Sequence, residues 1–141
     1  MNLSHYNWNN INFIDIFKVN SGKAGSKFFE HGRTDIFQLG LKVSGDTEIM
    51  YNHQQYAFCA ESILYLPKEN SSDIDYQTTI LEQGESLCIF FDSPNKLPPV
   101  PILTKHSDAH IRNMFFELHG FYNQKNRDLF ACKSVFYIKT V

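Results

Sequence analysis

The stretch IFQLGLKV (residues 36–43) decides the fold. Phe37, Leu39, Leu41 and Val43 fall on one parity, and Gln38, Gly40 and Lys42 on the other. A β-strand with one buried face needs that period of two, because successive side chains point to opposite faces of the pleat. The same texture repeats outward. In INFIDIFKV (11–19), Ile11, Phe13, Asp15, Phe17 and Val19 share a parity, which predicts another strand. The loop NSGKAGSK (20–27) follows it, with two glycines. Beyond residue 43, SGD (44–46) and NHQQ (52–55) are turn signals on either side of TEIMY (47–51). YAF (56–58), SILYLP (62–67), DIDYQTTI (73–80) and SLCIFFD (86–92) complete the series. Short strands at hairpin spacing, with no helix between them, predict an antiparallel sandwich or barrel over residues 11–105. Residues 1–10 are polar and rich in Asn, and read as a flexible arm.

The texture then changes. SPNKLPPVP (93–101) carries Pro94, Pro98, Pro99 and Pro101, so it cannot be helical and reads as a stiff, extended bridge leaving the barrel. After it, Ile111, Met114, Phe115, Leu118, Phe121 and Tyr122 recur at helical spacing, with Ser107 or Asp108 placed to cap the N-terminus. LFACKSVFYIK (129–139) predicts a second helix, which makes residues 106–141 a helical hairpin. The first helix's stripe is wider than one sheet needs, so part of it is expected to pack on the barrel and part on a second copy of the chain.

Composition narrows the function. The 141 residues suit one domain, and 43% hydrophobic with 20% charged residues is ordinary for a globular chain. A net charge of -2 gives no basic footprint for gripping nucleic acid. Cys59, Cys88 and Cys132 are widely spaced and form no CxxC, so neither a disulfide framework nor a structural zinc site is expected. With no signal peptide or membrane-length apolar run, the expected location is cytoplasmic. Catalytic signatures are missing too. His5, His31, His53, His106, His110 and His119 form no H-x-H pair, and no nucleophile elbow or phosphate loop is present. Neither an enzyme, a metal nor a cofactor is expected.

What remains is a cavity, since a small barrel either fills with side chains or holds one small ligand. On the last strand, Ser86, Cys88 and Phe90 face one way and Leu87, Ile89 and Phe91 the other. The mixed set suits a cavity that binds a polar molecule with apolar stacking. The apolar set suits packing against the helices.

Four segments, taken in order, resemble the N-terminal effector-binding and dimerisation domain of AraC-type transcription regulators. RTDIFQLGLKVSG (33–45) is similar to that family's arginine, alternating strand and terminal glycine. ESILYLPKEN (61–70) is similar to its strand ending at a proline, although Glu61 and Ser62 stand where the family usually has glycine and aspartate. SLCIFFDSP (86–94) resembles its last barrel strand, and residues 110–138 its paired helices. The resemblance implies a mostly β fold: a cupin-like antiparallel β-barrel of the double-stranded β-helix or jelly-roll kind, followed by two C-terminal α-helices. It implies a small-molecule effector, a carbohydrate among the options, and a homodimer. It also implies a bacterial helix-turn-helix domain beyond Val141, through which alone DNA would be bound. The resemblance puts an effector-contacting arginine near Arg33; with Asp73 and Tyr76 on the strand after LPKEN and the mixed set Ser86, Cys88 and Phe90, it completes the expected effector site. For Arg33, a surface ion pair with Asp35 or Glu30 is the competing reading. Tyr6 and Trp8 in the arm are placed to fold over the mouth as a lid. The implied dimer surface is Ile111, Met114, Phe115, Leu118, Phe121 and Tyr122. A stand-alone cupin enzyme, an isomerase or dioxygenase, and a dimerising scaffold with a filled barrel are the rival readings.

Overall fold

A computed structural model describes residues 6–30, 36–68, 76–105 and 109–123. Its strands are β1 (Asn12–Asn20), β2 (Lys27–Glu30), β3 (Phe37–Lys42), β4 (Asp46–Tyr51), β5 (Gln54–Cys59), β6 (Ser62–Leu66), β7 (Tyr76–Glu82), β8 (Glu85–Asp92) and β9 (Ile102–Lys105), and they precede one helix, α1 (Ala109–Asn123). Every pairing is antiparallel. One sheet has the order β1-β8-β3-β6-β9 and the other β2-β7-β4-β5. The mostly β expectation holds. The second predicted helix lies outside the described residues, and so does the cap at Ser107 or Asp108.

Passages from one sheet to the other gather at one end of the molecule: β1 to β2, β3 to β4, β5 to β6 and β7 to β8. Backbone hydrogen bonds tie them together. Ser21 donates from its amide and its hydroxyl to the Gly84 carbonyl, at 2.8 and 2.9 Å. The Gly84 amide donates back to Ser21 Oγ at 2.6 Å. Glu85 donates to the Ser44 carbonyl (3.2 Å), while Val43 and Ser44 donate to the Glu85 carbonyl (2.9 and 3.2 Å). Glu61 donates to the Lys42 carbonyl at 2.9 Å. Glycine is required here for room. A Cβ on Gly84 would run into the Ser44 carbonyl, and one on Gly45 (φ 80°) would lie 2.7 Å from the Glu82 carbonyl oxygen.

The five-stranded sheet is covered on both faces. On its outer face, Phe37, Leu39, Leu41, Ile63, Tyr65, Leu87, Ile89 and Phe91 form the main core with Phe115 and Leu118 of α1. Met114, Phe115 and Leu118 are buried within the chain itself, and Ile111 packs against the same core. Ile111, Phe115 and Leu118 of the proposed dimer residues therefore pack on the chain's own sheet, whose outer face is largely apolar and needs a lid. The side chains of Phe121 and Tyr122 lie outside what is described. The exposed aromatic on α1 is Phe116, with the Arg112 guanidinium 5.6 Å from its ring centre.

Several local expectations need correction. The turn between β4 and β5 is only Asn52–His53, both at positive φ (48° and 67°), so Gln54 and Gln55 belong to β5. In β1 the parity does not run unbroken. A bulge between Phe13 and Asp15 resets it, so Phe13 and Ile16 meet the main core. The proline-rich bridge does not leave the barrel. Tyr65 Oη donates to the Pro98 carbonyl (2.9 Å), Leu97 is buried, and β9 then pairs with β6 at the sheet's edge. The arm is not a lid over the cavity at Trp8. Trp8 meets Tyr65 edge-on at 6.2 Å on the outer face, and Asn95 Nδ2 donates to the carbonyls of Asn7 (3.1 Å) and Asn9 (2.6 Å).

Because the Gly84 site has no space for a methyl group, Gly84→Ala is expected to cost about 2 kcal/mol or more, and ~5 °C in Tm. Thermal denaturation followed by circular dichroism checks this, with Gly120→Ala, where no atom lies within 4 Å, as the control expected to be neutral or mildly stabilising.

A candidate ligand cavity between the sheets

The inner faces of the two sheets enclose a cavity of about 460 Å³, in the range of small-molecule sites. Its walls follow from register. In the five-stranded sheet, β8 pairs Ser86 with Val19 and Lys42, then Cys88 with Phe17 and Gly40, then Phe90 with Asp15 and Gln38. In the four-stranded sheet, β4 pairs Thr47 with Ile80 and Phe58, then Ile49 with Thr78 and Tyr56. Phe17, Val19, Gln38, Lys42, Thr47, Ile49, Phe58, Tyr76, Thr78, Ile80, Ser86 and Cys88 line the space from both sides, joined by Asn20, Ser21 and Gly22 at the tied end.

Gly40 leaves a gap in the middle row, which the Phe58 ring enters from the opposite sheet. A Cβ on Gly40 would lie 3.4 Å from Phe58 Cζ and 3.7 Å from Cys88 Sγ. Thr47 Oγ1 is committed to the Phe58 carbonyl at 3.1 Å. The rest of the lining mixes apolar surface from Phe17, Val19, Ile49 and Ile80 with groups that can hydrogen-bond, from Asn20, Ser21, Gln38, Tyr76, Thr78 and Ser86.

Lys42 is the unusual member of this wall. Its side chain is only 2% exposed, a rare condition for lysine. Its Nζ lies 5.7 Å from the Phe58 ring centre, within reach of a cation–π attraction. Among the described residues no carboxylate forms an ion pair with it. Burial pushes its pKa below the ordinary 10.5, opposed in part by attraction from Cys88, Asp46 and Cys59. Beside it, Ser62 is fully buried on the inward parity of Leu64 and Leu66, and its Oγ has no hydrogen-bond partner among the described residues.

Of the site residues expected from sequence, Tyr76, Ser86 and Cys88 line this cavity. Phe90 is not in the lining, but it has the same parity and meets the lining residue Phe17 edge-on at 4.7 Å. Arg33 and Asp73 lie outside the described residues. Lys42 and Phe58 were missed. Lys42 sits on the polar parity of β3, where a lysine signals solvent far more often than a cavity. Its signal was the strand's position between two others in the sheet, which a single sequence does not reveal. Among the described residues, no three His, Cys, Asp or Glu side chains cluster closely enough to hold a metal ion, and no helix is long and apolar enough to cross a membrane.

No family model and no curated protein matches the chain. Solved structures do match its fold. An apo variant of ToxT from Vibrio cholerae superposes with a TM-score of 0.62 at 16% identity, over 92% of this chain and 54% of the ToxT chain. Wild-type ToxT with an unsaturated fatty acid bound gives 0.57 at 13% identity, over 90% of this chain and 51% of that one. The chain thus shares a fold with ToxT and spans about half its length.

Burying a lysine with no ion pair among the described residues costs stability, and the sign with pH follows. The folded state holds this proton less tightly than the unfolded chain. The cost is therefore full below the folded pKa and fades as pH rises toward 10.5. Lys42→Met is expected to raise stability by about 1 kcal/mol, ~3 °C in Tm, at pH 7. Its advantage over the wild type should shrink as denaturation is repeated at rising pH.

Proposed function

We propose that the chain is the effector-sensing domain of an AraC-type transcription regulator, with the cavity between its sheets as the effector site. The observation that carries this reading is a cavity between the sheets with a buried lysine in its wall that, among the described residues, has no ion pair. ToxT is an AraC-family regulator, and its fold likeness to this chain supports a sensing role over an enzymatic one. The strand order and the bundled sheet-to-sheet passages fit a cupin-like jelly roll.

The effector we favour has an apolar body and one acidic head group. Phe17, Val19, Ile49, Phe58 and Ile80 supply apolar surface, Lys42 supplies a counter-charge, and the ToxT neighbour holds an unsaturated fatty acid. A carbohydrate, with no apolar body, would leave the surface of Phe17, Val19, Ile49, Phe58 and Ile80 unmatched. Arg33 and Asp73 remain proposed contacts, and Tyr76, Ser86 and Cys88 proposed contacts within the cavity. A homodimer would use the exposed part of α1 around Phe116 and Arg112, with Phe121 and Tyr122 farther along. DNA would be bound only by a further domain of the regulator.

A ligand that prefers the native state must raise Tm, by about 2.7 kcal/mol of added stability at roughly a hundredfold its Kd. In a panel of sugars and of amphiphiles such as decanoate and decan-1-ol, decanoate is expected to raise Tm and arabinose to leave it unchanged. Gly40→Val, which pushes a branched side chain toward Phe58 and Cys88, is expected to abolish the decanoate shift while keeping the far-UV spectrum. No shift with any small molecule would sink the sensing role.

A further inference from the structure

The wall around Lys42 supports a second kind of ligand chemistry. A lysine amine becomes a nucleophile only when it is neutral, and water normally keeps it protonated. Here the side chain is 2% exposed, it lines the cavity, and no carboxylate among the described residues pairs with it to hold the proton. The Phe58 ring at 5.7 Å and the β3 backbone, fixed on both sides by β6 and β8, set where the amine sits. Ser86 is its cross-strand partner and also lines the cavity, which puts a hydroxyl on the same wall.

We infer that Lys42 captures aldehydes with an apolar body as a reversible imine inside the cavity. This rests on the reading of the cavity as a ligand site and adds a ligand class to it. In the step, the Nζ lone pair attacks the carbonyl carbon and the C=O π bond becomes a C–O single bond. Proton transfer from nitrogen to oxygen gives a carbinolamine. The C–O bond then breaks, oxygen leaves as water after taking up a proton, and the nitrogen lone pair forms C=N. Loss of the remaining N–H proton gives the neutral imine. The change consumes no oxidant or reductant, and its only by-product is water. The lowered proton affinity of the buried amine favours the neutral form over that of the surface lysines.

The test treats the chain at neutral pH with equimolar decanal, reduces with sodium cyanoborohydride, and reads intact mass and a peptide map. The expected result is a single adduct on Lys42, suppressed by excess decanoate and absent from Lys42→Met, a variant whose fold should be more stable than the wild type. Lys18 and Lys68, both partly exposed, are the internal reference. An adduct spread over Lys18, Lys68 and other surface amines, or one that survives in Lys42→Met, overturns the inference. If decanoate raises Tm but decanal leaves Lys42 unmodified, the carbonyl chemistry falls and the sensing cavity stands. If decanal does not modify Lys42 and nothing in the panel raises Tm, both fall.

Discussion

The junction of Ser21, Ser44 and Gly84 is the constraint on which the rest of this molecule depends. Three turns that carry the chain from one sheet to the other meet there, and each supplies hydrogen bonds to another. Two sheets facing each other have no intrinsic spacing at which a hollow interior is stable, since apolar faces left alone would close on each other. Tying the passages at one end with main-chain bonds sets that spacing and closes that end. Serine and glycine do this well: one folds a hydroxyl back to a nearby amide or carbonyl, and the other admits a backbone where no side chain fits.

Above this junction the two faces of the five-stranded sheet have different roles. The outer face is largely apolar and is closed by α1, the proline-rich bridge and Trp8. The inner face mixes Ser86, Cys88, Gln38 and Lys42 with aromatic rings, and it tolerates polar groups because they border a cavity. Lys42 is the costliest of them. A protein that holds a buried amine with no ion pair among the described residues gives up stability that a methionine would restore, as functional sites commonly do.

Much of this was legible in the sequence because period two is a direct imprint of the pleat. β3 and β8 could be read residue by residue, and the split of β8 into a mixed and an apolar face matches their different surroundings. Other parts were hidden for physical reasons. β2 and β9 are four residues each, too short for a period to emerge, and β9 follows prolines that look like an exit from the fold. The β1 bulge inserts one residue, which leaves no mark on composition but swaps the faces on either side of Ile14. Lys42 was hidden because alternation separates two faces without saying whether the polar one meets water or a cavity. The helix face of Met114, Phe115 and Leu118 was recognised as apolar, but Phe115 and Leu118 pack on the chain's own sheet.

β8 ends up with adjacent residues in different compartments. Cys88 borders the cavity while Leu87 and Ile89 touch the layer that seats α1. The two environments are separated by the thickness of one peptide unit. An occupant that presses this strand outward therefore needs no relay of side chains to reach the helix. Such a sheet would act as a diaphragm, since a displacement on its cavity side is the same displacement on its helix side.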